Sequence, residues 1–330
     1  MKYIGFKLKL SVFIKDTIES VVDGLDNKIF CDIFAGTGIV GRTFKPLVKS
    51  VISNDLEYYS FVLNKNYIGN YQKIEYEHLI QELNDLSLVE GFIYKQYSLG
   101  GHGERQYFSD ENAKKIDTIR IRIEEWKEKN IIDDNLYYFL LASLIESADK
   151  VANTASVYGA YLKKLKKSAT VKMVLKPALF DDCGENHSIY NCDANQLIKS
   201  ISGDILYMDP PYNQRQYGSN YHLLNTIAKY DNFTPKGKTG LREYNRSSYC
   251  KKQNVLKAFE ELIKFADFKY IFLSYNNEGL MSENDVQEIM KKYGKYSLET
   301  IDYQRFKADK TENRNHKATR TLEYLHILEK

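Results

Sequence analysis

At 330 residues, with 43% hydrophobic and 28% charged side chains, the chain is long enough for one well-buried core and a second, smaller lobe. No apolar run reaches the roughly 18 residues that would span a membrane. Cys31, Cys183, Cys192 and Cys250 lack Cys-x-x-Cys spacing, which argues against a zinc site or a disulfide framework and reads as reduced thiols in a cytoplasmic protein. The net charge of +3 is too small to define a partner without its distribution.

The first 22 residues are broken by Lys7, Lys9 and Lys15 and carry no small-residue cleavage site, so they do not read as a signal peptide. Ile29 to Phe34 is a short apolar run of the kind that forms a buried strand, followed at once by a glycine turn. Gly36, Gly38 and Gly41 satisfy G-x-G-x-x-G, where glycine lets the chain turn sharply and a ligand approach the backbone. A second strand, Ser50 to Asn54, ends at Asp55, some 17 residues after Gly38. In a doubly wound sheet an acid so placed reaches ribose hydroxyls. Strand, glycine turn, strand and acid together predict an adenosine-type ligand.

Residues 70–170 break this rhythm and read as helical. Ser109 or Asp110 caps a helix running to about Lys129, whose Ile116, Ile119, Ile123 and Trp126 recur at helical spacing. Tyr137 to Ile145 starts a second apolar helix that continues to about Val151. The preceding turn, Leu99 to Arg105, has glycines and charges that suit either a DNA-facing loop or a plain connection. Lys163-Lys164-Leu165-Lys166-Lys167 follows as a basic run. The six histidines show no metal spacing, so none is assigned to catalysis or to a metal; His222 reads as packing or capping.

Asp204 to Asn213 is the most informative segment. Ile205 to Met208 reads as another buried strand, and it ends in Asp209-Pro210-Pro211-Tyr212. Two prolines stop the strand, remove two backbone donors and fix φ, leaving carbonyls free to accept from a ligand. An acceptor-only carboxylate, stiff carbonyls and an aromatic face suit a flat molecule with an exocyclic amino group, such as a nucleobase. Taken singly, the motif also reads as an ordinary proline turn after an edge strand.

Between Lys229 and Lys252 seven basic residues, among them Lys236, Lys238, Arg242 and Arg246, stand against Asp231 and Glu243. Glycines and serines make this segment read as a loop, with Tyr244, Asn245 and Tyr249 interleaved. Such a loop contacts phosphates and presents Arg or Asn to base edges. A third basic cluster, Arg305, Lys307, Lys310, Arg314, Lys317 and Arg320, reads as a hairpin tip between the last two strands.

Phe34-Ala35-Gly36-Thr37-Gly38 followed much later by Asp209-Pro210-Pro211-Tyr212 resembles the Dam-like (D12 class) adenine-N6 DNA methyltransferases. The opening Lys2-Tyr3-Ile4-Gly5-Phe6-Lys7 resembles the motif that lies against the methionine end of the cofactor, and Asn191-Cys192-Asp193 the segment whose acid faces its adenine. The resemblance covers essentially the whole chain. It implies a doubly wound, mostly parallel Rossmann-like α/β sheet formed by residues 1–70 and 170–330, with a mainly helical insertion at 71–169 for target recognition and a DNA-contacting loop at 229–252. It implies S-adenosyl-L-methionine as cofactor, held by Tyr3, Gly5, Lys7, Asp32, Phe34, Ala35, Gly36, Thr37, Gly38, Asp55, Asp193 and Asp209. Catalysis falls to Asp209, Pro210, Pro211 and Tyr212. Double-stranded DNA is the expected partner, contacted by Lys163, Lys164, Lys236, Lys238, Arg242, Asn245 and Arg246. A cognate restriction endonuclease is a further expected partner; no membrane and no metal are.

The expected chemistry is methyl transfer to N6 of a flipped-out adenine, with Asp209 and the Pro210 carbonyl accepting the amino hydrogens and Tyr212 stacking on the base. The alternatives are an RNA amino-methyltransferase, methylation of cytosine N4, a dinucleotide oxidoreductase, and a catalytically silent DNA-binding subunit. The oxidoreductase leaves Asp209 to Tyr212 unexplained.

Overall fold

The computed structural model describes residues 8–183, 186–304 and 320–330. The chain divides into two compact units. Within the described residues, one comprises 57–183 and 217–245, and the other 8–56, 186–216, 246–304 and 320–330. The helical unit therefore extends beyond the interval 71–169 named from the sequence.

Among the described residues seven strands, all in the second unit, are β1 (Ile29–Asp32), β2 (Ser50–Asn54), β3 (Ser188–Tyr190), β4 (Ser202–Met208), β5 (Asp267–Asn276), β6 (Lys295–Gln304) and β7 (Arg320–Glu329). They form one sheet in the order β3-β2-β1-β4-β5-β7-β6. The first five strands are parallel neighbours, and β7 runs antiparallel to both β5 and β6. The sheet is the doubly wound, mostly parallel α/β architecture expected from the sequence. The order reverses between β1 and β4, where Asp32 stands opposite Tyr207 and the Ile33 N–H donates to the Tyr207 carbonyl at 3.2 Å. Ligands of open α/β sheets bind at this switch point, beyond the carboxyl ends of the strands. The glycine turn and the proline motif leave those two ends, so β4 is central and the edge-strand alternative fails.

Helices in chain order are α1 (Leu8–Val21), α2 (Ile39–Phe44), α3 (Tyr58–Asn64), α4 (Glu77–Asp85), α5 (Phe92–Tyr97), α6 (Asp110–Glu128), α7 (Asp134–Val151), α8 (Ala194–Leu197), α9 (Tyr217–Asn220), α10 (His222–Lys229), α11 (Val255–Phe265) and α12 (Glu283–Lys291). In the sheet unit, strand alternation sends Phe30 to one face, where it stacks on Phe44 of α2 with centroids 4.3 Å apart. Cys31, Ile33, Leu206 and Met208 go to the other face and form one core with Val255, Ala258, Phe259, Leu262 and Ile263 of α11. That helical spacing makes one apolar stripe.

In the helical unit, Ser109 caps α6 by accepting from the Asn112 N–H at 3.3 Å, and Asp133 caps α7 at the Leu136 N–H at 2.8 Å. Ile116, Ile119, Ile123 and Trp126 are buried as the spacing predicted. Residues 152–180 contain no strand and only one short 3₁₀ turn, Lys167–Ala169, yet their backbone is tied down. Asn112 binds the Val171 carbonyl and the Met173 N–H, Asn84 binds both backbone groups of Leu175, and Asn66 binds the Leu179 carbonyl. Side-chain amides thus supply the partners that a neighbouring strand would otherwise provide. No helix among the described residues is long and apolar enough to cross a membrane.

Candidate active site

Those of the cofactor-side residues named from the sequence that are described fall at the carboxyl ends of the parallel strands. Ile29–Asp32 carries the chain to Phe34, Ala35, Gly36, Thr37 and Gly38; Ser50–Asn54 ends at Asp55; Ser188–Tyr190 precedes Asp193; Ser202–Met208 ends at Asp209. Gly36 (φ 54°) and Gly38 (φ 78°) adopt the left-handed region that side chains disfavour, and Gly38 starts α2. Tyr3, Gly5, Lys7 and the rest of the opening motif lie outside the described residues, as do the basic residues from Arg305 to Lys317; of Arg320 only the backbone, at the start of β7, is described.

The turn is held from β2. The Ala35 N–H donates to the Asn54 carbonyl at 2.9 Å, and the Gly36 N–H to Asp55 Oδ2 at 2.8 Å. Asn54, which is buried and was not singled out in the sequence, donates from Nδ2 to the carbonyls of Ile33 (3.0 Å) and Cys192 (3.1 Å). Its Oδ1 accepts the Cys192 N–H at 3.0 Å, and Asn191 Nδ2 donates to the Asp55 carbonyl at 2.7 Å. One buried amide therefore joins the glycine turn to the Asn191-Cys192-Asp193 segment. Asp193 itself caps α8, with Oδ1 accepting the Asn195 and Gln196 N–H groups at 3.0 and 3.2 Å.

Asp32 is buried on the α2 face. Its Oδ2 accepts the Gly41 N–H at 3.3 Å. Burial pushes this carboxyl well above the usual carboxylate range, and the charges of Asp209 and Asp55 push it the same way. Such a cluster favours a ligand that brings positive charge.

Pro210 is buried, and among the described residues nothing donates to its carbonyl. The Tyr212 hydroxyl donates to Asp209 Oδ1, a contact the sequence does not suggest. Burial, followed by the Asp209 charge, raises the phenol far above its ordinary pKa, so it acts as a donor and not as a base. The Tyr212 ring meets Tyr275 edge-on, with centroids 5.1 Å apart, and its carbonyl accepts the Leu280 N–H at 3.1 Å. Tyr275, at the end of β5, in turn accepts the Leu280 and Met281 N–H groups at 3.0 and 3.3 Å through its hydroxyl. It too went unnoticed in the sequence.

Of the candidate DNA contacts, Lys163, Lys164, Lys236, Lys238, Asn245 and Arg246 are exposed. Arg242 departs from the expectation. It is only 8% exposed, and both its terminal nitrogens bind the Asp231 carboxylate, at 3.1 and 2.6 Å. Its guanidinium also lies 4.9 Å from the Phe233 ring. Arg242 shapes the loop and is not available to a phosphate or a base. The end of the 229–252 segment is packed as well: Tyr249 is buried, and its hydroxyl donates to Asn195 Oδ1 at 2.9 Å. His222 is buried among Tyr97 and Tyr107, with Nε2 on the Tyr158 carbonyl at 3.0 Å, in keeping with a packing role.

Comparison with known proteins agrees with this geometry. A family model for D12 class N6 adenine-specific DNA methyltransferases matches residues 3–289. The chain is 65% identical to the Type II methyltransferase M.NlaIII of Neisseria lactamica, across 100% of this chain and 99% of that protein. It is 41% identical to the Type II methyltransferase M.CviAII of Paramecium bursaria Chlorella virus 1, across 93% and 92%. With the Type II methyltransferase M.FokI of Planomicrobium okeanokoites it shares 40% identity over its whole length, which spans 53% of that larger protein. A glycine turn and an Asp-Pro-Pro-Tyr motif at adjacent strand ends, together with this match over most of the sequence, place the chain in the family of D12 class N6 adenine-specific DNA methyltransferases.

Proposed function

We propose that the chain uses S-adenosyl-L-methionine to methylate N6 of an adenine flipped out of double-stranded DNA, as the cytoplasmic modification enzyme of a restriction-modification system with a cognate endonuclease. The observation that carries this reading is the adjacency of β1 and β4 at the switch point, where a cofactor turn and an amino-group acceptor emerge side by side. Gly36, Gly38, Asp55 and Asp193 suit the adenosine part of the cofactor, and Asp32 and Asp209 suit its cationic part. The cofactor supplies an electrophilic methyl group on a positively charged sulfur.

Asp209 and the Pro210 carbonyl accept the two amino hydrogens of the target adenine. This draws the nitrogen toward a tetrahedral state and frees its lone pair for in-line attack. The incoming amino group replaces the Tyr212 hydroxyl on Asp209, and the Tyr212 ring stacks on the base. After transfer the nitrogen is cationic, and Asp209 takes its proton. A carboxylate is too weak a base to remove that proton beforehand. Because the amino group is inaccessible within a duplex, the base leaves the stack first, as is general for methyltransferases acting on bases.

Asp209→Asn tests the assignment. Methyl transfer should fall by a factor on the order of 10³, far more than the calorimetric binding of S-adenosylmethionine, which weakens only by the loss of one of the two carboxylates near its cationic part. An active Asp209→Asn enzyme would remove Asp209 from the reaction.

A further inference from the structure

Three segments far apart in sequence meet in the helical unit. After α5 the chain folds back through 98–105, with the Gly103 N–H donating to the Lys95 carbonyl at 2.9 Å and the Tyr107 and Phe108 N–H groups to the Tyr97 carbonyl at 3.2 and 3.1 Å. Residues 236–241 form a small hairpin in which Lys236 and Leu241 exchange backbone hydrogen bonds of 2.9 and 2.8 Å. Two hydrogen bonds join hairpin to turn: the Tyr97 hydroxyl donates to the Gly240 carbonyl at 2.6 Å, and Arg105 Nη2 to the Gly237 carbonyl at 3.3 Å. Arg105 Nη1 also donates to the Gln96 carbonyl at 3.2 Å. The fit is close, since a Cβ on Gly240 would lie 2.8 Å from the Tyr97 ring and 2.9 Å from Arg105. The third segment, 161–166, is tied in by Asn153. Its N–H donates to the Tyr107 carbonyl at 2.7 Å and its Nδ2 to the carbonyls of Gln106 and Leu162, both at 2.9 Å. Asn153 Oδ1 accepts the Lys166 N–H at 3.0 Å.

Resting on the DNA-methyltransferase reading above, we propose that these three segments form one composite DNA-reading surface, with Leu99, His102, Lys163, Lys164 and Lys238 toward the duplex and Tyr97, Arg105 and Asn153 as the positioning residues beneath. The outward residues are exposed, Leu99 by 58%, whereas Tyr97 and Asn153 are fully buried. Among the described residues Lys163, Lys164 and Lys238 have no acidic partner, while Lys236 pairs with Glu243 at 3.0 Å; Glu104 and Asp110, whose Oδ1 accepts the Gly100 N–H at 2.8 Å, are also exposed acids at this surface. Cations left unpaired on a tightly built turn match a regular polyanion, and phosphate contacts fix register while neighbouring groups read base edges. Arg105 spends its terminal nitrogens on protein carbonyls, so it sets the spacing of the two loops and makes no phosphate contact.

The test is the salt dependence of binding, using the full-length protein with S-adenosylhomocysteine and a duplex that the wild type methylates. Lys163→Gln/Lys164→Gln and, separately, Lys238→Gln should each flatten the slope of log K against log salt by about 0.9 for every phosphate left without its lysine. Arg105→Met should weaken binding about tenfold without changing the slope and should raise methylation at sites the wild type ignores, with cofactor affinity unchanged. Tyr97→Phe, which removes only the hydroxyl on Gly240, should give the same pattern at smaller amplitude and serves if Arg105→Met does not fold. Wild-type slopes in both lysine variants would overturn the proposal, as would a slope reduced by Arg105→Met alone. A wild-type enzyme that methylates no duplex would instead sink the functional reading, and that is seen before any variant is made.

Discussion

Asn54 and Cys192, 138 residues apart, pair through two hydrogen bonds: Asn54 Nδ2 to the Cys192 carbonyl at 3.1 Å and the Cys192 N–H to Asn54 Oδ1 at 3.0 Å. The same Nδ2 reaches Ile33 just before the glycine turn. Asn54→Ala removes all three bonds and leaves one backbone donor and two carbonyls to find other partners. At about 1–3 kcal/mol for each buried group left unsatisfied, and allowing for entry of water, we expect a loss of roughly 2–4 kcal/mol in stability. If the glycine turn and the Asn191-Cys192-Asp193 segment hold the adenosine part of the cofactor as proposed, binding of S-adenosylmethionine should weaken at least tenfold, because both segments are released. Urea denaturation and calorimetry measure the two effects; unchanged cofactor affinity would show that this amide does not organise the site.

Tyr275→Phe should act on catalysis and not on the cofactor. The variant keeps the ring edge against Tyr212 but loses the acceptor for the Leu280 and Met281 N–H groups. The 276–281 loop that supports Tyr212 then loosens. We expect kcat to fall about tenfold, as a net loss of about 1.4 kcal/mol, with cofactor binding unchanged. With 2-aminopurine at the target position, the flipped base should fluoresce more brightly in the variant, because stacking on Tyr212 is less complete. Equal quenching in both proteins would remove Tyr275 from this role.

Acid should destabilise the chain through two histidines. Burial holds His222 and His326 each at a pKa of about 4, below the ordinary value of 6.5. As pH falls from 6.5 toward 4 the unfolded chain takes up protons that the folded chain refuses. Stability is therefore complete above 6.5 and declines across that interval, by roughly 2 kcal/mol per histidine at pH 5. Urea midpoints at pH 7.5 and 5.0 measure this, and His222→Gln with His326→Gln should shrink the difference. A pH response unchanged in the double variant would place its origin elsewhere.

Much of the architecture was legible because local signals agreed with the global fold. Ile205 to Met208 is apolar throughout, as a strand buried on both faces must be, and Pro210 marks its end. The periodicity of α6 and its cap at Ser109 are equally local. What escaped depends on pairings that neither periodicity nor composition marks. Arg242 reads as one more loop cation until Asp231 and Phe233 are seen around it. Asn54, Asn112 and Asn153 carry no periodicity, since their role is to satisfy backbone groups of segments that only folding brings near. The hydroxyls of Tyr212 and Tyr275 belong to the same class, because an aromatic residue read from composition gives no hint of where its polar end goes.

The proposed site should place a methyl group on adenine N6 in duplex DNA. Purified protein incubated with isotopically methyl-labelled S-adenosylmethionine, in parallel with unmethylated duplex DNA and total RNA, tests it by nucleoside mass spectrometry. Labelled N6-methyldeoxyadenosine is expected from the DNA, and none with Asp209→Asn. Label confined to RNA, label in N4-methyldeoxycytidine, or no label with cofactor bound would contradict it.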